Sequence, residues 1–281
     1  NPEPIEKNLE LLKKTVTKSN ASCGIAFDGD ADRIGVIDDK GRYLPPHIVF
    51  PLLLYYLVKY KELTGKVVQT ISLGYLSERI AKKFKLVFEE VPVGFKYITE
   101  KMLSIPENGG TVDHNVLIGG EESGGYALCG EIPERDGILS GLVLLEMLGY
   151  TGKKLSTLVE ELQKEFGKSH FLRVDICVPE VIFDKNYFAN KIRNLIYSKL
   201  FGIMVREVKT YDGLKIVLQD DSWLLMRPSG TEPVIRIYAE APSREFANKL
   251  IAYGKKLTRN AILSESKNHT LQMKLPSPSQ A

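Results

Sequence analysis

In KVVQTISLGYLSERIAKKFKLVFEEV, residues 66–91, two apolar runs enclose a helix-patterned segment. Lys66–Ser72 has the β-branched, apolar character of a strand, and Ser77–Phe84 puts its apolar residues on one helical face. Leu86–Val91 reads as a strand again. Strand, helix and strand joined by short connections are the grammar of a crossover between parallel strands. The same alternation extends outward. Ile48–Lys59 precedes it as a helix; Phe95–Leu103 (helix), Val116–Ile118 (buried strand), Gly137–Leu148 (strongly apolar helix) and Leu155–Phe166 (helix) follow. Residues 46–166 are therefore expected to form a mixed, mostly parallel α/β/α sandwich.

Beyond residue 167 the pattern changes. A strand at Phe171–Val178 and a helix at Asn186–Leu200 lead into three β-type runs, Met204–Thr210, Leu214–Leu218 and Trp223–Met226, with Asp212-Gly213 as a hairpin turn. A strand at Val234–Ala241 and a helix at Arg244–Thr258 follow. Clustered hairpins predict a smaller α+β domain with an antiparallel sheet over 167–263, and residues 264–281 read as a loose polar tail. At the other end, 6–19 is an amphipathic helix, and Cys23–Phe27 and Ile34–Ile37 are short strands flanking an acidic loop within 1–45.

Composition narrows the function classes. The chain has 281 residues, 43% hydrophobic and 26% charged, with a formal charge of +3. Its basic residues are scattered, which argues against a nucleic-acid partner. Apolar runs fall short of the ~20 residues a membrane helix needs, so no membrane role is expected. Cys23, Cys129 and Cys177 lack metal-ligand spacing and read as reduced thiols of a cytoplasmic protein. The start at Asn1, without methionine, suggests a piece of a longer polypeptide.

Three loops carry chemistry. In Asp28-Gly29-Asp30-Ala31-Asp32-Arg33, carboxylates alternate with small residues, so all three can turn inward as hard oxygen ligands for Mg²⁺ or Ca²⁺. An EF-hand fails because Arg33 stands where glycine is needed and the flanks are strands. Gly119-Gly120-Glu121-Glu122-Ser123-Gly124-Gly125-Tyr126 follows a buried strand, at the end of an α/β sheet where ligands bind; its carboxylates and Ser123 suit sugar hydroxyls. In Arg227-Pro228-Ser229-Gly230-Thr231-Glu232-Pro233, with Arg236 beyond, an arginine fork, two hydroxyls and an approachable backbone suit a phosphate. The same residues also fit a capped turn between strands.

In this order the three loops resemble those of the α-D-phosphohexomutase family, which includes phosphoglucomutases and phosphomannomutases. The resemblance spans roughly residues 1–260. It implies Asp28, Asp30 and Asp32 as Mg²⁺ ligands with Arg33 beside a phosphoserine, and Glu121 and Ser123 on the sugar. Arg227, Ser229, Gly230, Thr231 and Arg236 would hold a phosphate. Val93-Gly94-Phe95-Lys96-Tyr97 resembles a family loop near substrate, implicating Gly94 and Lys96, and Pro133-Glu134-Arg135-Asp136-Gly137 resembles another, implicating Arg135. Residues 1–45 would be the end of the family's second α/β domain. No T-A-S-H-N-P-like segment occurs in this sequence, so the phosphoserine domain is expected to be supplied outside it, and the chain alone is expected not to turn over. The implied activity is a Mg²⁺-dependent interconversion of hexose 1-phosphate and hexose 6-phosphate through a hexose bisphosphate. Gly124-Gly125, which lacks the histidine of some mannose- and glucosamine-processing members, leans toward glucose, with mannose next. The alternatives are an inactive fragment that binds Mg²⁺ and phosphosugar, and a Mg²⁺-dependent phosphatase using Asp28. All three loops are expected around one sugar.

Overall fold

The computed structural model describes residues 2–104, 116–130, 132–177, 185–193, 195–230 and 232–272. The chain divides into two units, Asn1–Ser169 and His170–Ala281.

The first unit opens with a 3₁₀ turn, Glu6–Asn8, and helix α1, Glu10–Ser19, where one continuous helix over 6–19 was expected. Asn20, with φ 53°, ends α1 in the left-handed conformation that asparagine tolerates. Strands β1 (Cys23–Phe27), β2 (Ile34–Asp38) and β3 (Tyr43–Leu44) form an antiparallel sheet. Helix α2, Pro46–Lys59, starts on proline, whose missing N–H costs nothing in a first turn. It is buried from His47 to Val58, as expected of a helix apolar all round.

The second sheet has the order β5-β4-β6-β7, with β4 at Lys66–Thr70, β5 at Phe88–Val91, β6 at Val116–Gly120 and β7 at Tyr126–Leu128. β4 runs parallel to β5 and β6, as the opening crossover requires, and β7 closes the edge antiparallel. Helices α3 (Leu76–Phe84), α4 (Phe95–Met102), α5 (Gly137–Thr151) and α6 (Leu155–Phe166) complete the unit. Successive strand residues face opposite sides of a sheet, and Gly119 and Gly120 show what lies on each. A Cβ on Gly119 would stand 2.3 Å from Ile98 of α4, and one on Gly120 would stand 2.4 Å from the Phe50 ring of α2. The sheet is thus the middle layer between α4 and α2, and these two glycines admit both helices.

A remote cap fixes the early segment to α6. Asp39, in the β2–β3 turn, accepts the Ser156 amide at 2.8 Å and the Ser156 hydroxyl at 3.1 Å. Burial pushes its carboxyl up, but the two Ser156 donors outweigh this and the net shift is downward. Replacing Asp39 with alanine should cost about 1 kcal/mol, the usual value of an N-terminal cap. Because the folded carboxyl ionises more readily than the unfolded one, the contribution is fully present above the ordinary value of about 3.9. It fades as the pH falls through the lower folded value. Urea titrations of D39A and wild type at pH 7 and pH 3 should show a gap that narrows in acid.

The second unit is an antiparallel sheet in the order β8-β13-β12-β11-β10-β9. Its strands are β8 (His170–Cys177), β9 (Lys199–Leu200), β10 (Ile203–Lys209), β11 (Leu214–Leu218), β12 (Trp223–Pro228) and β13 (Val234–Ala241). Helices α7, Lys185–Arg193, and α8, Arg244–Gln272, pack on it over a core that includes Phe188, Leu224, Ile237 and Leu250. Two boundaries differ from expectation. The helix expected to reach Leu200 stops at Arg193, because Leu200 pairs with Ile203 across a Phe201-Gly202 turn with φ of 50° and 90°. Positive φ at both central residues is what a tight hairpin demands, and Phe-Gly gives little sequence warning of it. At the other end α8 runs to Gln272, past the tail boundary set at 264; no glycine or proline interrupts the sequence between Gly254 and Pro276. Among the described residues no helix is long and apolar enough to cross a membrane.

Candidate active site

The acidic hexapeptide Asp28–Arg33 is the closed end of the β1–β2 hairpin, whose last register pair is Phe27↔Ile34. Ala31 has φ 59°, and this sharp turn brings the alternating carboxylates together: one oxygen each of Asp28, Asp30 and Asp32 lies within 4.8 Å of the others. Arg33 folds back over the loop. Its amide donates to Asp28 Oδ1 at 3.1 Å and its Nε donates to Asp28 Oδ2. Burial raises the Asp28 carboxyl, yet the Arg33 bonds prevail and it is held below its ordinary value. Asp32 is raised, first by burial and then by Asp28 beside it. Asp32 Oδ1 is buried without a hydrogen-bond partner, with Arg33 Nε 3.6 Å away.

The glycine-rich loop meets this hairpin through backbone contacts. Ile34 N donates to Gly124 O at 3.0 Å, and Arg33 pairs with Gly125 as an isolated bridge. Gly124 has φ +92°, and a Cβ there would lie 2.7 Å from the Ile34 carbonyl oxygen, so glycine is required twice over. Glu121 is buried and accepts the Ser123 hydroxyl at 2.6 Å. Burial is the main reason its carboxyl sits above the ordinary value, with repulsion from Glu122 adding to it. Glu122 turns the other way, toward Thr70 and Ser72.

Arg135 links the two loops. Its Nη2 lies 2.7 Å from Asp32 Oδ2 and its Nη1 lies 3.1 Å from Glu121 Oε1, so one guanidinium touches both the acidic trio and the carboxylate of the glycine-rich loop. The guanidinium also lies over the Phe95 ring at 5.4 Å, and a Cβ on Gly125 would collide with its stem. Asp136 caps α5 by accepting the Leu139 amide at 2.7 Å. Gly137 donates to the Ala31 carbonyl at 3.0 Å, which seats the start of α5 against the acidic loop. Gly94, with φ +131°, precedes α4, and Lys96 is exposed with its ammonium 4.8 Å from the Tyr97 ring.

The donor set fits a hard divalent cation. Four carboxylates (Asp28, Asp30, Asp32 and Glu121) and two guanidinium groups (Arg33 and Arg135) leave a formal charge of −2. Three oxygens in one turn and an orphaned carboxylate oxygen are what such a cation would satisfy.

The third loop belongs to the second unit. Arg227 and Arg236 are register partners on β12 and β13, so two guanidinium side chains leave one face of the sheet side by side. Acids hold them apart. Arg227 Nε donates to buried Asp212 Oδ2 at 2.7 Å, while Arg236 pairs with Glu232 and lies 3.8 Å from Asp175. Ser229 is buried, and its hydroxyl oxygen accepts the Glu232 amide at 3.3 Å. Nothing lies within 4 Å of a Cβ built on Gly230, so packing does not demand glycine there; a close-approaching anion would. Thr231 lies outside the described residues. From sequence Asp212 is a turn residue only, and its neighbour explains the placement. Gly213 has φ +87°, and a Cβ there would meet the Met226 carbonyl at 2.5 Å.

Family models match three stretches: the "alpha/beta/alpha domain II" of phosphoglucomutase/phosphomannomutase over residues 1–41, its "alpha/beta/alpha domain III" over 45–166, and its "C-terminal domain" over 190–253. A "Probable phosphoglucosamine mutase" of Pyrococcus horikoshii is 34% identical over 261 residues, 92% of this chain and 53% of that protein. A Thermus thermophilus crystal structure described as a phosphomannomutase aligns with TM-score 0.73 and 32% identity, covering 92% of this chain and 51% of the other. Aspergillus fumigatus N-acetylphosphoglucosamine mutase, solved with GlcNAc-6P and magnesium, aligns with TM-score 0.53 and 19% identity, covering 84% of this chain and 48% of that one; this likeness speaks for the fold. The chain spans about half the length of the relatives it matches.

Proposed function

Because the chain belongs to the phosphoglucomutase/phosphomannomutase family, we propose that it is the part of a phosphohexomutase that holds Mg²⁺ and presents a hexose phosphate for phosphoryl transfer between its C1 and C6 oxygens. The observation that supports this reading most is the Asp32–Arg135–Glu121 bridge, which ties a cation-type cluster to a hydroxyl-type cluster. Asp28, Asp30 and Asp32 would hold the cation, which when bound offsets negative charge on the transferring group. Arg33, pinned by Asp28, presents a fixed guanidinium beside that group. Glu121 accepts a sugar hydroxyl and Ser123 donates or accepts beside it, while Arg135 pairs with an anionic substituent. Lys96 and Gly94, at the start of α4, border the same end of the sheet. Arg227, Arg236, Ser229, Gly230 and Thr231 bind the phosphate remote from the reacting end. Alignment and charge neutralisation are most of what this chemistry asks of a protein. The phosphoserine and the hexose bisphosphate intermediate belong to the whole mutase, at which this chain supplies the metal, sugar and phosphate contacts.

The sugar is gluco-configured. The Gly124-Gly125 end of the loop favours glucose over mannose, and a relative named as a phosphoglucosamine mutase puts an amine at C2 within the class. Isothermal titration of the 281-residue chain with glucose 6-phosphate, glucosamine 6-phosphate and mannose 6-phosphate in the presence of Mg²⁺ tests this. Both gluco sugars should bind more tightly than mannose 6-phosphate, and more weakly once EDTA is added. Absence of binding by all three at millimolar concentration would sink the proposal. A glucose 1-phosphate assay separates a self-sufficient enzyme, which would turn over, from the expected binding-only behaviour of the chain by itself.

A further inference from the structure

We propose that Glu122 is a positioning residue, which braces the sugar loop against β4 and thereby aims Glu121 and Ser123. Adjacent in sequence, Glu121 and Glu122 point to opposite sides. Glu121 faces Ser123 and Arg135, whereas Glu122 Oε2 accepts the Ser72 hydroxyl at 2.5 Å and the Thr70 hydroxyl at 3.1 Å. Thr70 ends β4, the strand paired with β6, and both Thr70 and Ser72 are fully buried. Buried hydroxyls need acceptors. Packing alone would be served by valine and alanine, so a pair of hydroxyls at the carboxyl end of the central strand calls for a polar partner. A carboxylate that receives two hydroxyl donors makes a charge-assisted anchor.

The loop needs one. Beyond the end of β6 at Gly120, Gly124 and Gly125 leave it few side chains to hold its path, and within 121–125 the backbone makes two bonds of its own, Gly124 N to Glu121 O at 3.2 Å and Glu121 N to Gly125 O at 3.1 Å. Gly124 is tied to β2, which fixes the far end of the loop. Glu122 fixes the near end, one peptide from the carboxylate that meets the sugar. Rotation of that peptide would swing Glu121 out of line, and the Thr70–Ser72–Glu122 cluster opposes it.

The inference rests on Glu121 and Ser123 being the sugar contacts, so two independent readouts are needed. One is glucose 6-phosphate affinity by calorimetry with Mg²⁺ present, set beside Mg²⁺ affinity without sugar. The other is hydrogen exchange at the amides of 121–125, which needs no ligand. E122L should weaken sugar binding about tenfold or more, leave Mg²⁺ affinity unchanged and speed exchange at Glu121 and Gly124. E122Q, which keeps an oxygen able to accept both hydroxyls, should keep sugar affinity and exchange within about threefold of wild type. S72A added to E122L should change little further, because the two act as one unit. Unaltered sugar binding and exchange in E122L, or failure of E122Q to restore them, would overturn the inference. Should the wild-type chain bind no sugar phosphate while E122L still loosens the loop and E122Q restores it, the functional proposal falls and the brace stands.

Discussion

Alanine in place of Asp212 should destabilise the second unit by about 3–5 kcal/mol, the usual result of stripping one partner from a buried ion pair. Asp212 and Arg227 have side-chain exposures of 2% and 7% and meet at 2.7 Å. Without the carboxylate, Arg227 keeps its charge in a site closed to water, with Arg236 opposite it on the next strand. Two like charges across a ladder repel, so the loss combines desolvation with repulsion. Thermal or urea unfolding followed through Trp223, which lies on the same strand β12 as Arg227, would report it directly. The double variant D212A/R227L should recover a large part of the loss, because it leaves no charge stranded. A deficit under about 1 kcal/mol in D212A would mean that the pair does not hold the strand end. R227L alone strands the Asp212 carboxylate and should be destabilised too, so the double variant, which leaves no charge unpaired, is the one in which lost affinity for inorganic phosphate is read apart from folding.

Asp30→Asn should reduce Mg²⁺ affinity by on the order of 100-fold. A unit charge pair about 4 Å apart at the edge of a protein is worth about 4 kcal/mol before relaxation and solvent reduce it, and Mg²⁺ carries twice that charge. Asp30 is exposed, unlike Asp28, so the change removes charge without opening a core. Asp32→Asn should weaken the metal comparably but also slacken the Arg135 bridge, and sugar affinity should fall with it. Calorimetry with Mg²⁺, or competition against Mn²⁺ followed by paramagnetic resonance, measures both. Equal Mg²⁺ binding by wild type and D30N would refute the assignment of the acidic loop as the cation site.

Much of this architecture was legible because local chemistry and global placement agree. The strand-helix-strand run at 66–91 folds as the crossover its pattern required, and the acidic loop sits at the closed end of a hairpin as its apolar flanks implied. The Asp212-Gly213 turn appears where the dipeptide suggested. What stayed hidden is long-range. Thr70 and Ser72 lie 52 and 50 residues from Glu122, and no periodicity links a strand end to a loop so distant. Arg135 was singled out, but its simultaneous grip on Asp32 and Glu121 depends on two loops stitched through backbone atoms, which carry no side-chain signature. Strand β7 has three residues, too few for an alternating pattern. The Phe201-Gly202 hairpin relies on a left-handed phenylalanine, a conformation that residue type rarely takes.

The backbone seam between Ile34 and Gly124 has a practical corollary for anyone retailoring this scaffold. The glycine-rich loop and the acidic hairpin are joined through their backbones, so the residues proposed for the hydroxyls and those proposed for the ion share one support. Mutations selected at Gly124 or Gly125, where the seam crosses, to admit a new ligand should disturb the acidic hairpin along with them. Libraries would do better to start at Lys96, which stands in solvent at the lip of α4 and has no stake in that support.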